Sequence, residues 1–202
     1  MARHDFIYLA SQSPRRRQLL EQLGVRHELL LPGPDEDAEA LEAERGGELP
    51  DAYVERVTRA KLKAASARRL QRGLPAAPIL CSDTTVALGR RILGKPVDAE
   101  DARRTLALLN GRTHRVITAV ALRWGRQEAL AVNVSHVHFA EIASADIDRY
   151  VATGEPFGKA GAYAIQSGAA AWISRIEGSY TGIMGLPLYE TAQLLRQAMV
   201  RF

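Results

Sequence analysis

Apolar positions along the chain switch repeatedly between two periods. Residues 6–10 form a short apolar run that predicts a first strand, and Leu19, Leu20 and Leu23 then recur at the spacing of one helical face until Gly24 stops it. Residues 25–31 predict a second strand, ended by Pro32-Gly33-Pro34. Residues 35–48 are acidic, carry no period and predict a mobile loop. A long helix follows over 51–72, closed by Gly73 and Pro75, then an apolar strand over 78–86 with Asp83 in its middle, a turn at Gly89-Arg90-Arg91 and a short return over 92–96. Residues 98–110 predict a helix capped by Asp98 and ended by Asn110-Gly111. Two long strands over 114–124 and 128–141 flank a Gly125-Arg126 turn, with clear alternation at Val132, Val134, His136 and His138. The chain closes with a helix over 144–152 capped by Ser144, a glycine-rich stretch over 154–168, a strand over 170–177, a loop over 178–187 and a helix over 188–200. Helices and strands alternate around one central hairpin, and no linker divides them. This predicts an α/β fold with a mixed, twisted sheet flanked by helices, in a single domain spanning 1–202 whose two lobes share a central cleft.

The junction of the first strand and helix carries the first chemical signal. Ser13 is a natural N-cap and Pro14 a natural first helical residue, so Arg15, Arg16 and Arg17 fall in the first turn. The helix dipole is already positive there, and cations add to it unfavourably unless an anion is expected. Serine hydroxyls, free backbone N–H groups and guanidinium groups converging on one point make a phosphate site.

Composition narrows the partners. Of 202 residues, 47% are hydrophobic, enough for one sizeable core or two small lobes that share one, and 25% are charged, an ordinary value for a soluble protein. No apolar run reaches membrane-spanning length, and the first is too short for a signal-peptide core; a cytoplasmic protein is expected. The single cysteine, Cys81, excludes an internal disulfide framework. A net charge of +4 could mean nucleic acid, but there is no long Lys/Arg block and only 6% aromatic residues to stack on bases, and a small polyanion such as a nucleotide is an equally good reading.

Other residues carry chemistry of their own. Asp83 is costly inside an apolar strand unless it is paired, holds a metal or faces a cleft, which makes it a candidate metal ligand or general base. Lys95, between Gly94 and Pro96, is placed to neutralise phosphate oxygens as a point charge. Arg56, Arg59 and Lys61 lie on the long helix, where solvated charge is the commoner role; Asp35 and Glu36 are similar, usually solvated loop charge and occasionally a candidate magnesium pair. His136 and His138 share a strand face without an evident third ligand, and Cys81 lacks an evident base, so neither is taken as a site. In Gly158 to Gln166, small residues allow close backbone approach, Tyr163 offers a ring for stacking, and the Gln166 amide matches the N3–H donor and O4 acceptor of a uracil or thymine edge.

Taken together, these motifs resemble the Maf family of nucleoside triphosphate pyrophosphatases, over almost the whole chain and in the family's order. Leu9-Ala10-Ser11-Gln12-Ser13-Pro14-Arg15-Arg16 is similar to its opening motif, followed by Ser82-Asp83-Thr84-Thr85-Val86, Leu93-Gly94-Lys95-Pro96, Asn110-Gly111-Arg112-Thr113-His114-Arg115-Val116, and finally Lys159 to Gln166 with Gly185-Leu186-Pro187. The resemblance implies hydrolysis between the α and β phosphates, yielding a monophosphate and pyrophosphate, with a divalent cation (Mg2+, Mn2+ or Co2+). It implies Asp83 as proton acceptor and metal ligand, Ser11, Arg15, Arg16 and Lys95 as triphosphate contacts, and Glu36 and Lys61 as further polar positions, Glu36 also toward metal. Arg15, Thr84 and Gln166 become the specificity positions. Arginine after the proline and glutamine at 166 resemble the branch acting on dTTP and UTP; the 7-methyl-GTP branch carries tryptophan and an acidic residue there, which suits a cationic purine. A homodimer is also implied. The chain departs from the family at Ala60, where glutamate is usual, at Ser167, where glycine is usual, and in the Thr181-Gly182-Ile183 loop. Two alternatives stay open at this point: a 7-methyl-GTP pyrophosphatase, and a nucleotide-binding regulator of cell division with little turnover.

Overall fold

The computed structural model describes residues 3–34 and 36–202. Asp35, half of the candidate magnesium pair, lies outside the described residues. Among the described residues seven strands form one sheet in the order β2-β1-β3-β5-β6-β7, with β4 paired to β3. They are β1 (Ile7–Leu9), β2 (His27–Leu29), β3 (Ile79–Leu88), β4 (Arg91–Leu93), β5 (Thr113–Trp124), β6 (Gln127–Phe139) and β7 (Ile173–Glu177). The helices are α1 (Pro14–Gln22), α2 (Pro50–Gln71), α3 (Ala99–Leu109), α4 (Ser144–Ala152), α5 (Tyr180–Met184) and α6 (Leu188–Gln197). The first three strands are parallel, while β3, β5, β6 and β7 run antiparallel, so the sheet is mixed as the alternation predicts.

One register positions everything that follows. β1 pairs only with the start of β3, through Tyr8 opposite Ile79 and Leu9 opposite Leu80. β4 pairs only with its end, through Val86 opposite Leu93 to Leu88 opposite Arg91. Parallel β1 and antiparallel β4 therefore aim their carboxyl ends at each other, and neither pairs with β3 from Cys81 to Thr85. Open α/β sheets bind ligands at the carboxyl ends of strands where direction changes.

Successive β3 side chains point to opposite faces. Cys81 and Ala87 pack under α2, beside Leu62 and Val54. On the other face Leu80 joins a cluster with Ile7, Leu19, Leu20, Leu186 and Leu195, and Val86 joins a second with Leu93, Leu106, Phe139, Tyr150 and Tyr163. β5 also contributes to both clusters, through Val116 to one and Val120 and Leu122 to the other.

Some local expectations change. β7 is shorter than predicted because Gly168–Trp172 forms a 3-10 turn before it. The 178–187 segment is not simply a loop: it holds α5, whose first turn Ser179 caps by accepting from the Gly182 N–H at 3.0 Å. Ser13 is the N-cap of α1 but makes no side-chain capping bond, and Ser144 begins α4 without capping it. Asp98 caps α3 as expected, accepting from the Asp101 N–H at 2.7 Å.

Candidate active site

The stretch of β3 between β1 and β4, open along that edge, faces a cleft of about 460 Å³, within the usual size of a small-ligand site. It is lined by Ser11 to Arg16 from one end, Gly94 and Lys95 from the other, Lys61 and Tyr53 of α2, and the 158–166 segment. Ser11, Arg15, Arg16, Lys61, Asp83, Thr84, Lys95 and Gln166 all reach it.

On the α2 face, charges alternate in a chain. The Lys61 ammonium donates to Asp83 Oδ1 at 2.6 Å and to Glu42 Oε1 at 2.7 Å, and Lys95 donates to Glu42 Oε2 at 2.7 Å. Asp83 is 7% exposed, and its second oxygen has no hydrogen-bond partner among the described residues. Burial alone would raise the Glu42 pKa, but the charge and hydrogen bonds of Lys61 and Lys95 outweigh it and hold the carboxyl below its ordinary value.

On the opposite face the cations have no carboxylate partner among the described residues. Arg16 donates to the Gly185 carbonyl at 2.8 Å, to Ser11 Oγ at 3.2 Å and to Thr84 Oγ1 at 3.4 Å. Arg15 Nε donates to the Met184 carbonyl at 3.3 Å, and Lys159 to the Glu155 carbonyl. Burial lowers the pKa of all three groups, and the Arg15 charge adds to the effect at Lys159. The first turn of α1 contains no acidic residue, and the Ser13 hydroxyl leaves its N–H groups uncapped. A polyanion is the group this wall lacks.

Glu36 is not brought into the cleft. Its carboxylate accepts from Arg68 Nε at 2.8 Å, from Arg68 Nη2 at 2.6 Å and from the Gly33 N–H at 3.1 Å. The Arg68 hydrogen bond above all holds its pKa at about 2. Arg68 is 5% exposed, so Glu36 serves as the counter-ion of a buried guanidinium. Glu42 stands in the cleft instead. The segment 35–48 holds seven acidic residues without periodicity, so spacing does not distinguish the one that turns inward.

Tyr163 is likewise not a stacking surface. It is 5% exposed, its ring meets His114 and Phe139 edge-on, and its hydroxyl lies 2.7 Å from His114 Nε2. This pair anchors the segment that ends in Gln166, which is exposed at the cleft. Gly161 brings the same segment onto β3: its φ is +70°, and a Cβ there would lie 2.8 Å from Val86. Burial, then the nearby His138, lowers the His114 pKa from 6.5 to about 4. Because the folded value is the lower one, stability is full above pH 6.5 and is lost as pH falls toward 4, about 2 kcal/mol of it between pH 8 and pH 5. Urea midpoints at the two pH values check this, and a His114→Gln variant loses that part of the difference.

Of the remaining candidates, Cys81 is fully buried with its thiol pushed up to about 12 by desolvation, an inert core residue. His138 bonds Thr113 Oγ1 at 2.7 Å, and Arg59 bonds Glu128 at 3.3 Å; neither lines the cleft.

The divalent cation that the resemblance implies would find its hard oxygen donors here in Asp83 and Glu42. Asp83 and Glu42 present two hard carboxylates bound to the same ammonium, and such pairs complete magnesium-type coordination with substrate phosphates and water. No cluster of three or more metal-ligating side chains occurs among the described residues.

A strand gap with carboxylates and lysines on one side and, on the other, cations without a carboxylate partner among the described residues marks this α/β protein as having a candidate polyanion cleft. The chain belongs to the Maf family: a family model described as Maf-like protein matches residues 6–198. It is 65% identical over 194 residues to a "dTTP/UTP pyrophosphatase" of Polaromonas sp., covering 96% of each chain. It is 62% identical over 201 residues to a protein of the same name from Burkholderia pseudomallei, covering 98% of this chain and 96% of that one. Among solved structures, the Staphylococcus aureus Ham1 protein aligns at a TM-score of 0.39 and 13% identity over 67% of this chain and 72% of that one, a likeness too slight to bear on the site.

Proposed function

We propose that this chain hydrolyses dTTP and UTP to the monophosphate and pyrophosphate. The observation that carries the proposal is the placement of Asp83, a buried carboxylate in the stretch of β3 that neither β1 nor β4 covers, with one oxygen free of hydrogen bonds among the described residues, facing the cleft. The names of relatives more than 60% identical over nearly the whole chain support the substrate class.

In this reading the triphosphate lies across the strand gap. Ser11, the α1 N–H groups, Arg15 and Arg16 take the phosphate oxygens on one side, and Lys61 and Lys95 on the other, with Glu42 giving up Lys95 as the phosphates arrive. Asp83 accepts the proton of a water that attacks the α-phosphorus. The new P–O bond forms as the bridging α–β bond breaks, and pyrophosphate leaves with the electron pair. A divalent cation (Mg2+, Mn2+ or Co2+) held by Asp83 and Glu42 would offset phosphate charge. Arg15, Thr84 and Gln166 select the base, with the Gln166 amide pairing N3–H and O4 of a pyrimidine. No helix among the described residues is long and apolar enough to cross a membrane. We place this activity in the cytoplasm, in a single two-lobed domain acting on a small molecule and not on nucleic acid; the homodimer stays a proposal from the family.

A panel of nucleoside triphosphates, scored for pyrophosphate release with each metal, tests the reading. dTTP and UTP are expected to be turned over at least about tenfold faster than CTP and 7-methyl-GTP. Equal or faster turnover of 7-methyl-GTP would remove the pyrimidine assignment, and tight binding without release would favour the regulator.

A further inference from the structure

Glu42 reaches the cleft from a segment with little packing of its own: its 3-10 turn, Ala40–Glu42, contains no buried residue. The carboxylate is nevertheless placed between Lys61 and Lys95. The segment is held from α2, by residues that precede Lys61 on the same helix. Arg56 donates to Glu48 through Nε at 2.6 Å and Nη2 at 2.7 Å, a forked pair. The same guanidinium donates to the Ala43 carbonyl at 2.9 Å and the Leu41 carbonyl at 3.5 Å, the two residues flanking Glu42. Tyr53, whose ring lies 5.5 Å from the guanidinium carbon, donates its hydroxyl to the Glu42 carbonyl at 2.9 Å. The Arg56 and Glu48 side chains are 21% and 11% exposed. Arg56 does not line the cleft.

We infer that Arg56 is a positioning residue for the hydrolysis: by gripping Glu48 and the carbonyls on either side of Glu42, it sets the 37–48 segment as a strap that aims the Glu42 carboxylate at Lys61 and Lys95. The inference rests on the proposed function for its effect on turnover, and on geometry alone for its effect on the strap. An arginine suits the task because its planar fork grips a carboxylate and carbonyls in fixed directions, whereas a lysine supplies charge without orientation.

The test compares wild type, Arg56→Ala, Arg56→Lys, Glu42→Gln and the Arg56→Ala/Glu42→Gln double variant. Arg56→Ala lowers kcat for dTTP by about 10- to 100-fold with a smaller change in KM, as expected when a contributing group is misplaced by an ångström. Arg56→Lys shows most of the same loss. In the Glu42→Gln background Arg56→Ala costs less than about twofold, because a residue that acts through Glu42 has nothing left to position. In the free proteins, amide hydrogen exchange over 37–48 quickens by about tenfold or more in Arg56→Ala while α2 is unchanged. An undiminished loss in the Glu42→Gln background, an Arg56→Ala variant with full activity, or unchanged exchange over 37–48 would overturn the inference. Wild type that releases no pyrophosphate would instead refute the proposed function, and the exchange comparison still decides whether Arg56 holds the strap.

Discussion

Asp83→Asn lowers kcat for dTTP by about 1000-fold or more, the range expected for loss of a general base, while nucleotide binding changes little. Asparagine keeps the shape of the side chain and loses only its charge and its ability to take a proton. Most of the proposed phosphate contacts, from Ser11, Arg15, Arg16 and the start of α1, lie elsewhere, and none of their hydrogen bonds involves Asp83. Affinity and turnover should therefore separate. Calorimetry with a non-hydrolysable dTTP analogue reads the first, and pyrophosphate release reads the second. Near-normal turnover in Asp83→Asn would assign the proton transfer to another group.

The second large effect belongs to Lys61. Its ammonium holds Asp83 and Glu42 at once, with its side chain 18% exposed. Lys61→Met keeps the stem and removes the charge, leaving two carboxylates facing one another in a sheltered cleft. Turnover is expected to fall by about 100-fold or more, because the cation that orients both carboxylates and helps to neutralise the phosphates is gone. Stability is expected to fall by about 2 kcal/mol, less than for a fully buried pair because Glu42 keeps some contact with water. Adding Asp83→Asn to Lys61→Met relieves the repulsion, so the double variant should recover part of that stability while staying inactive. Urea denaturation separates these outcomes, and a purely local role for Lys61 predicts no recovery.

What the sequence made legible follows from where physics acts locally. Arginines on the positive end of a helix, and a carboxylate inside an apolar strand, are anomalies visible in any fold, and both line the cleft. Lys95 was legible because Gly94 and Pro96 mark the end of a short strand. Glu42 was not, because the choice between it and Glu36 is made in three dimensions: Arg68 captures one carboxylate, and Lys61 and Lys95 capture the other. Nothing in 35–48 repeats, so the sequence predicts a mobile loop and does not show the contacts that Arg56 and Tyr53 of α2 make with its Ala43 and Glu42 carbonyls. Tyr163 was expected to meet a ligand because it sits among glycines, yet its neighbours in the fold, His114 and Phe139, enclose it. α5 has five residues, too few to show a helical period, and is set by the Ser179 cap and by Gly185 at φ +114°. The mixed sheet was legible from its alternation; the gap in β3 was not, since it depends on how far β1 and β4 each extend along β3.

In the proposed mechanism water attacks the α-phosphorus in this cleft. Hydrolysis of dTTP in 18O-labelled water, with the products resolved by mass spectrometry, tests it most directly. The account predicts dTMP and pyrophosphate in equal amounts, with the label in dTMP alone and the reaction lost in Asp83→Asn. Label in pyrophosphate, or dTDP and orthophosphate as products, would contradict it.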